Sequence, residues 1–301
     1  MSSQSGQFLI RFWGVRGRVP CPGDETVRYG GNTPCIEMQI GEQRLVFDGG
    51  TGLRVLGQAM LREMPVEAHL FFSHAHWDHT QGFPFFVPAF VKGNRFHIYG
   101  APSPNGTTIK KRLHDQMLHP NFPVPLQVMG ADLQFHDLRA TETVQIGDVR
   151  VENDRLHYPG EALGYRVSWN DCCVAYVTDI ENRPGDLDEH ILRVAQGADV
   201  LIYDASYTCD SYLEKVNCNG GWSHASWQEG VRIAKAAGVR QLIIFHHEPT
   251  HTDLFLDDVG SKLDQELPGG VVAMEGMMVE VFPSPLKGKS KAVNVTMVSS
   301  V

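Results

Sequence analysis

A chain of 301 residues is long enough to bury a full core, as one large domain or two modest ones. With 42% hydrophobic and 20% charged residues it has the composition of a soluble globular protein, and no apolar run approaches the roughly 18 residues needed to span a bilayer. The net charge of −9, from 26 basic and 35 acidic residues, argues against a dedicated nucleic-acid binder, which carries a basic face.

The elements follow in order. Met1 to Gln7 is a short polar lead, and Phe8 to Trp13 reads as a first strand, too short and too charged for a signal core and ended by Gly14 and Gly17. A loop marked by Pro20, Pro22, Gly23, Gly30 and Gly31 leads to a hairpin, Cys35–Ile40 and Gln43–Phe47, turning at Gly41-Glu42. Asp48-Gly49-Gly50-Thr51-Gly52 then opens a helical stretch to about Glu63; it lacks the Lys-Ser/Thr of a nucleotide-binding loop. The apolar run Ala68–Phe72 reads as a buried strand. Directly after it stands Ser73-His74-Ala75-His76-Trp77-Asp78-His79, three histidines and an aspartate within six residues. A divalent ion needs several imidazoles converging, and apolar flanks do not suit a merely solvated loop. In extended chain His74 and His76 share a side, and a turn through Trp77 and Asp78 brings His79 back toward them.

Gly82–Pro88 is aromatic and proline-broken, either core or the wall of a pocket. Thr107–Leu118 predicts an amphipathic helix and Leu126–Val151 a run of strands, followed by Leu156-His157-Tyr158-Pro159-Gly160. A second hairpin, Gly164–Trp169 and Cys172–Thr178, turns at Asn170-Asp171 and ends in Asp179. Helices and strands then alternate: helix Leu187–Gln196, strand Val200–Tyr203 before Asp204, helix Ser223–Ala237, strand Gln241–Phe245 before His246-His247, helix Asp253–Glu266, and strands Val271–Met274 and Met277–Phe282. No repeat or linker separates two cores, so residues 1–282 are expected to form one domain, a sheet-on-sheet core with helices outside, and 283–301 a polar, basic tail. The cysteines Cys21, Cys35, Cys172, Cys173, Cys209 and Cys218 lack CxxC spacing, and with no export signal they are read as reduced thiols of a cytoplasmic protein.

The cluster at His74–His79, Asp179, Asp204 and His246 all follow strand-like runs, so they can converge on one rim of a sheet core. In this the sequence resembles the metallo-β-lactamase superfamily, whose hallmark His-x-His-x-Asp-His is here His74-Ala75-His76-Trp77-Asp78-His79. The lone His157, Asp179 in Tyr-Val-Thr-Asp and His246 in Ile-Phe-His-His-Glu-Pro match its later hallmarks, over roughly Phe8–Phe282. Asp204-Ala205-Ser206-Tyr207 and Trp222-Ser223-His224-Ala225-Ser226 look similar to the phosphodiesterase and tRNA 3′-endonuclease branch, although Ala225 displaces the usual hydroxyl residue after the histidine. Arg11–Gly17 and Tyr29–Thr33 look similar to bacterial metal-dependent hydrolases.

The resemblance implies an α/β fold, an αββα four-layer sandwich of two mixed sheets flanked by helices. It also implies two divalent ions, one held by His74, His76 and His157 and the other by Asp78, His79 and His246, with Asp179 bridging. Two such ions about 3.5–4 Å apart acidify a bridging water and clamp both oxygens of a displacement at phosphorus. Histidine and aspartate ligands suit Zn²⁺, with Mn²⁺ and Fe²⁺ as alternatives. A diiron redox relative is expected to carry glutamate where His76 stands, which shifts the reading toward hydrolysis. Asp78 would also orient the attacking water, His224 would donate a proton to the leaving oxygen, and Asp48 and Asp204 would hold ligand imidazoles by their far nitrogens. His247 reads as packing, and His69, His97, His114, His119, His136, His190 and His251 have no spacing that calls for metal.

The leading expectation is a dinuclear phosphodiesterase acting on a small phosphodiester such as a cyclic nucleotide. The charge of −9 and the lack of a long basic arm speak against the alternative, an RNA 3′-processing endonuclease. A lactone, thioester or β-lactam hydrolase keeps the fold and changes the substrate. A metal or redox sensor would instead use Cys172, Cys173, Cys209 and Cys218. No membrane partner is expected, and a homodimer is compatible with the sequence.

Overall fold

The computed structural model describes residues 6–158, 162–181, 187–208, 225–282 and 294–297. Along the chain run β1 (Phe8–Gly14), β2 (Cys35–Ile40), β3 (Gln43–Phe47), α1 (Thr51–Met60), β4 (Glu67–Phe71), α2 (Trp77–Thr80), β5 (Arg95–Gly100), α3 (Ile109–Asp115), β6 (Asp132–Asp137), β7 (Thr143–Ile146) and β8 (Val149–Leu156). They continue as β9 (Ala162–Trp169), β10 (Cys172–Val177), α4 (Glu189–Ala195), β11 (Val200–Asp204), α5 (Trp227–Ala237), β12 (Gln241–Phe245), α6 (Asp253–Glu266), β13 (Val271–Val272), β14 (Met277–Val281) and β15 (Asn294–Met297).

The strands form two mixed sheets. One has the order β15-β14-β1-β2-β3-β4-β5-β6 and the other β13-β12-β11-β10-β9-β8-β7. Alternation decides which face of each strand meets the other sheet. Phe8, Ile10 and Phe12 from β1, Phe47 from β3 and Phe71 from β4 meet Tyr165, Tyr176 and Phe245 in the core between the sheets. Phe47 stacks on Phe71 with centroids 5.3 Å apart, and Tyr165 closes on both at 5.5 Å. Aromatic pairs of this kind add about 0.5–1.5 kcal/mol beyond the area they bury. The outer face of the first sheet packs under α1 and α3 through Leu53, Leu56, Ile109 and Leu113. The outer face of the second packs under α4, α5 and α6 through Ile191, Val231 and Leu263. The result is the four-layer αββα sandwich.

Local chemistry sets the element ends. Asn170 turns the β9–β10 hairpin at φ 50°, the left-handed region asparagine tolerates. Ser226 caps α5 by accepting from Glu229 N–H, and Asp188 caps α4 by accepting from His190 and Ile191. The run of strands expected from Leu126 begins only at Asp132, because Leu126–Val128, after Pro125, forms a 3-10 turn. Gly82–Pro88 likewise folds as tight 3-10 turns that bury Phe83 and Phe86 in the core and leave Phe85 exposed. Within the span read as a polar tail, β15 adds an edge strand antiparallel to β14.

Three contacts tie the sheets together at the rim where β3, β4 and β10 end. Tyr165 OH donates to Phe72 O (2.7 Å), Leu163 N–H to Ser73 O (2.8 Å) and Tyr176 OH to Asp48 Oδ2 (2.6 Å).

Candidate metal centre

The cluster sits on that rim. β4 ends at Phe71, and after Phe72 and Ser73 the chain places His74 and then His76, their rings 4.5 Å apart. The single turn of α2 then carries Asp78 and His79 back into the protein, both buried. Across the rim, Asp179 follows β10 at φ 51° and His246 follows β12 at φ 63°, and Asp48 follows β3 at φ 61°. Three non-glycine residues in the left-handed region at strand ends are a local strain, held by the surroundings at a functional site.

Two groups of donor atoms result, His74 with His76 and Asp179, and Asp78 with His79 and His246, the atoms of each lying within 4.8 Å of one another. Asp179 faces both. Its Oδ1 lies 3.8 Å from His74 Nε2, while Oδ2 lies 2.9 Å from His79 Nε2 and 3.3 Å from His246 Nε2. Asp78 Oδ2 stands 3.3 Å from His246 Nε2 and 3.5 Å from His79 Nε2.

A carboxylate grips each inner imidazole from behind. Asp48 Oδ2 is 2.8 Å from His79 Nδ1, and Asp48 is itself fixed by Ser73 N–H (2.7 Å) and the Tyr176 hydroxyl. Asp204 acts one atom further off. Its Oδ1 is 3.7 Å from His246 Nδ1, and Ser206 Oγ stands between, 2.8 Å from Asp204 Oδ1 and 3.1 Å from His246 Nδ1. Such partners fix the orientation of a ligating ring.

The donor set fits divalent ions. His74 Nε2 is buried with no hydrogen-bond partner among the described residues, an exception that a metal ligand explains. Burial, and then the neighbouring His79, push His74 well below the ordinary histidine range, so it presents a lone pair. Burial also opposes charge on His79, but Asp179, Asp78 and Asp48 outweigh it and hold its imidazolium well above that range. Against the same burial, Asp179 and Asp78 raise His246 to about 9. Asp78 and Asp179 are buried as well, yet the adjacent histidines keep both carboxyls well below the usual carboxylate range. Protons thus balance a concentrated negative charge that metal cations would otherwise balance.

His157 is not brought into either group. At the end of β8 its Nδ1 lies 2.7 Å from Asp188 Oδ2 and its side chain is half exposed. His224, Cys209 and Cys218 lie outside the described residues. His247 packs inward, bonded through Nε2 to Ala273 O (2.8 Å), as expected of a packing residue. Of the aromatic residues near the cluster, Trp77 and Phe85 are exposed and Phe83 is core.

Sequence reasoning missed four contributors. Ser73 and Ser206 relay the two aspartates, and a hydroxyl in a loop carries no distinguishing signal. Tyr158 sets its ring edge-on to His74 (5.3 Å) and His76 (5.2 Å), and burial and then the Asp179 charge hold its phenol well above the ordinary range. The fourth is the loop after β1. Arg16, fully buried, donates to Gly30 O (2.8 Å) and His251 O (2.7 Å), Gly17 pairs with His247, and Arg18 N–H donates to Asp78 Oδ2 (2.6 Å). The Arg-Phe-Trp-Gly-Val-Arg-Gly stretch was its only signal.

Fold and cluster together define a metal-dependent hydrolase of the metallo-β-lactamase kind. The family described as "Beta-lactamase superfamily domain" matches residues 43–247, and the chain belongs to it. The chain is similar to a ribonuclease Z of Thermococcus gammatolerans, 28% identical over 274 residues that cover 78% of this chain and 84% of that protein. Solved structures share the fold. The metallo-β-lactamase fold protein YhfI from Bacillus subtilis superposes with a TM-score of 0.67 at 17% identity, over 92% of this chain and all (100%) of that one. A diphosphatase of the PhnP family does so with a TM-score of 0.65 at 16% identity, over 91% and 97%.

Proposed function

We propose that the chain is a dinuclear metal-dependent phosphodiesterase acting on a small phosphodiester such as a cyclic nucleotide. The observation that carries this reading is Asp179, whose two oxygens face different donor groups, the arrangement a bridging carboxylate requires. Two divalent ions, with Zn²⁺ best suited to the donors, would supply an acidified water and stabilise charge on the phosphate oxygens. His74 and His76 would hold one ion and Asp78, His79 and His246 the other. His157 remains the third imidazole for the first. Asp188 on its Nδ1 supports this, because it leaves Nε2 as the donor, although the ring must turn toward His74.

The residues around the ions have separate tasks. Asp78 orients the attacking water, itself oriented by Arg18 N–H. Asp48 and the Asp204–Ser206 pair lock His79 and His246 in the tautomers that present Nε2. His224 donates the proton that the leaving oxygen needs.

A second reading, cleavage of RNA near its 3′ end, is favoured by the ribonuclease Z relatives. The net charge of −9 favours the small substrate, since a polyanion needs a basic surface beyond the site. The metal-loaded protein should be offered cyclic nucleotides, bis(p-nitrophenyl) phosphate and a tRNA precursor with a 3′ trailer. Turnover of the first two is expected, whereas cleavage of the precursor alone would replace the small-substrate reading with the second. No helix among the described residues is long and apolar enough to cross a membrane.

A further inference from the structure

Three histidines that lie far apart in sequence stack on neighbouring strands of the first sheet. His69 on β4 is in register with His97 on β5, their rings 4.5 Å apart and 9° from parallel, and His136 on β6 follows at 5.9 Å from His97. Glu67, two residues before His69 and therefore on the same face, puts Oε1 2.8 Å from His97 Nε2. The row shares the face of Phe71 but lies within the strands, with His69 midway along β4 and His97 midway along β5, whereas the metal centre lies past the strand ends.

We infer that Glu67, His69 and His97 form a separate binding site for a divalent transition-metal ion such as Zn²⁺. One donor atom from each lies within 4.8 Å of the others. Around tetrahedral zinc, with bonds of about 2.0 Å, ligand atoms stand about 3.3 Å apart, so modest rotation of the stacked rings completes the site. An ion would take the place of the proton shared by Glu67 and His97. Two imidazoles and a carboxylate suit zinc and its neighbours better than Mg²⁺ or Ca²⁺. Burial, and then His97, push His69 down to about 4, so it is unprotonated at neutral pH, as a ligand must be. Tyr99 OH, 3.3 Å from His69 Nδ1, steadies the ring. One strand further, His136 Nε2 is buried without a hydrogen-bond partner among the described residues, but its register partner is Tyr99 and it stays outside the three-residue donor group. The half-exposed Glu67 carboxylate gives the ion its way in. Bound there, it would clip β4 to β5, two parallel strands that share no hairpin.

The test is a metal count on tag-free, full-length protein, stripped with chelator and dialysed to equilibrium against micromolar zinc. Parent protein should bind one zinc per chain more than either His97→Gln or Glu67→Ala, with hydrolysis of bis(p-nitrophenyl) phosphate alike in all three. Equal zinc in parent and in the folded variants overturns the site and leaves Glu67–His97 as a plain ion pair. Glu67 is exposed enough that its replacement keeps the test alive if His97→Gln misfolds. Because the count is a difference, it holds whether the first centre carries one ion or two.

Discussion

Asp48 touches no expected substrate or metal position, yet it joins β3, β4, α2 and β10 through Ser73, His79 and Tyr176. Asp48→Asn keeps the shape but weakens the grip on His79 Nδ1. Losing a partner of this kind lowers metal affinity or activity by about 10–100-fold, and a zinc competition titration with a chromophoric chelator should show it. His224→Ala should behave in the opposite way. It is expected to keep its metal content while turnover falls by about 10²–10⁴-fold, the range of a lost general acid. Metal loss in that variant would instead make His224 a ligand. The Cys172 and Cys173 side chains are buried on opposite faces of β10, and burial raises the Cys173 thiol, so neither suits the sensor reading.

At the scale of elements, the parts of the site that could be read from sequence were those with a local pattern. His74, His76, Asp78 and His79 share one short stretch, and Asp179 and His246 each end a hydrophobic run; periodicity marks such run ends. Ser206, Tyr158 and the Arg16–Arg18 loop could not be read this way, since each acts through a contact made across the fold. His69 and His97 are the clearest case, because they meet only through strand register. The loop also explains Gly17. A Cβ there would come within 2.5 Å of the His246 ring, so no other residue fits while that ring keeps its place. Gly17→Ala is expected to weaken metal binding and to lower stability by about 1–3 kcal/mol, as overpacking does, measurable by urea unfolding with and without zinc. Unchanged unfolding and unchanged metal affinity would show that the loop yields freely.

For the whole molecule, the β-rich first half and the alternating second half were legible as two layers of one core, because alternation and helix-strand order survive in sequence. The pairing order was not, since crossovers such as β14 returning beside β1 depend on which edges remain open. The rim carries several carboxylates balanced by histidine protons, so ions that bind only the folded state should stabilise it strongly. At a free concentration 1,000 times the dissociation constant, the gain is about 4 kcal/mol per site. Thermal melts of chelator-treated and zinc-loaded protein should differ accordingly, and coincident melts would mean the cluster does not bind zinc.

The most direct measurement is the rate of bis(p-nitrophenyl) phosphate hydrolysis across a zinc titration, for the parent chain and for Asp179→Ala. Turnover should appear with zinc in the parent and stay at background in the variant at every zinc concentration, with circular dichroism showing both folded. Parent-like turnover in a folded Asp179→Ala protein would contradict a bridged two-metal centre.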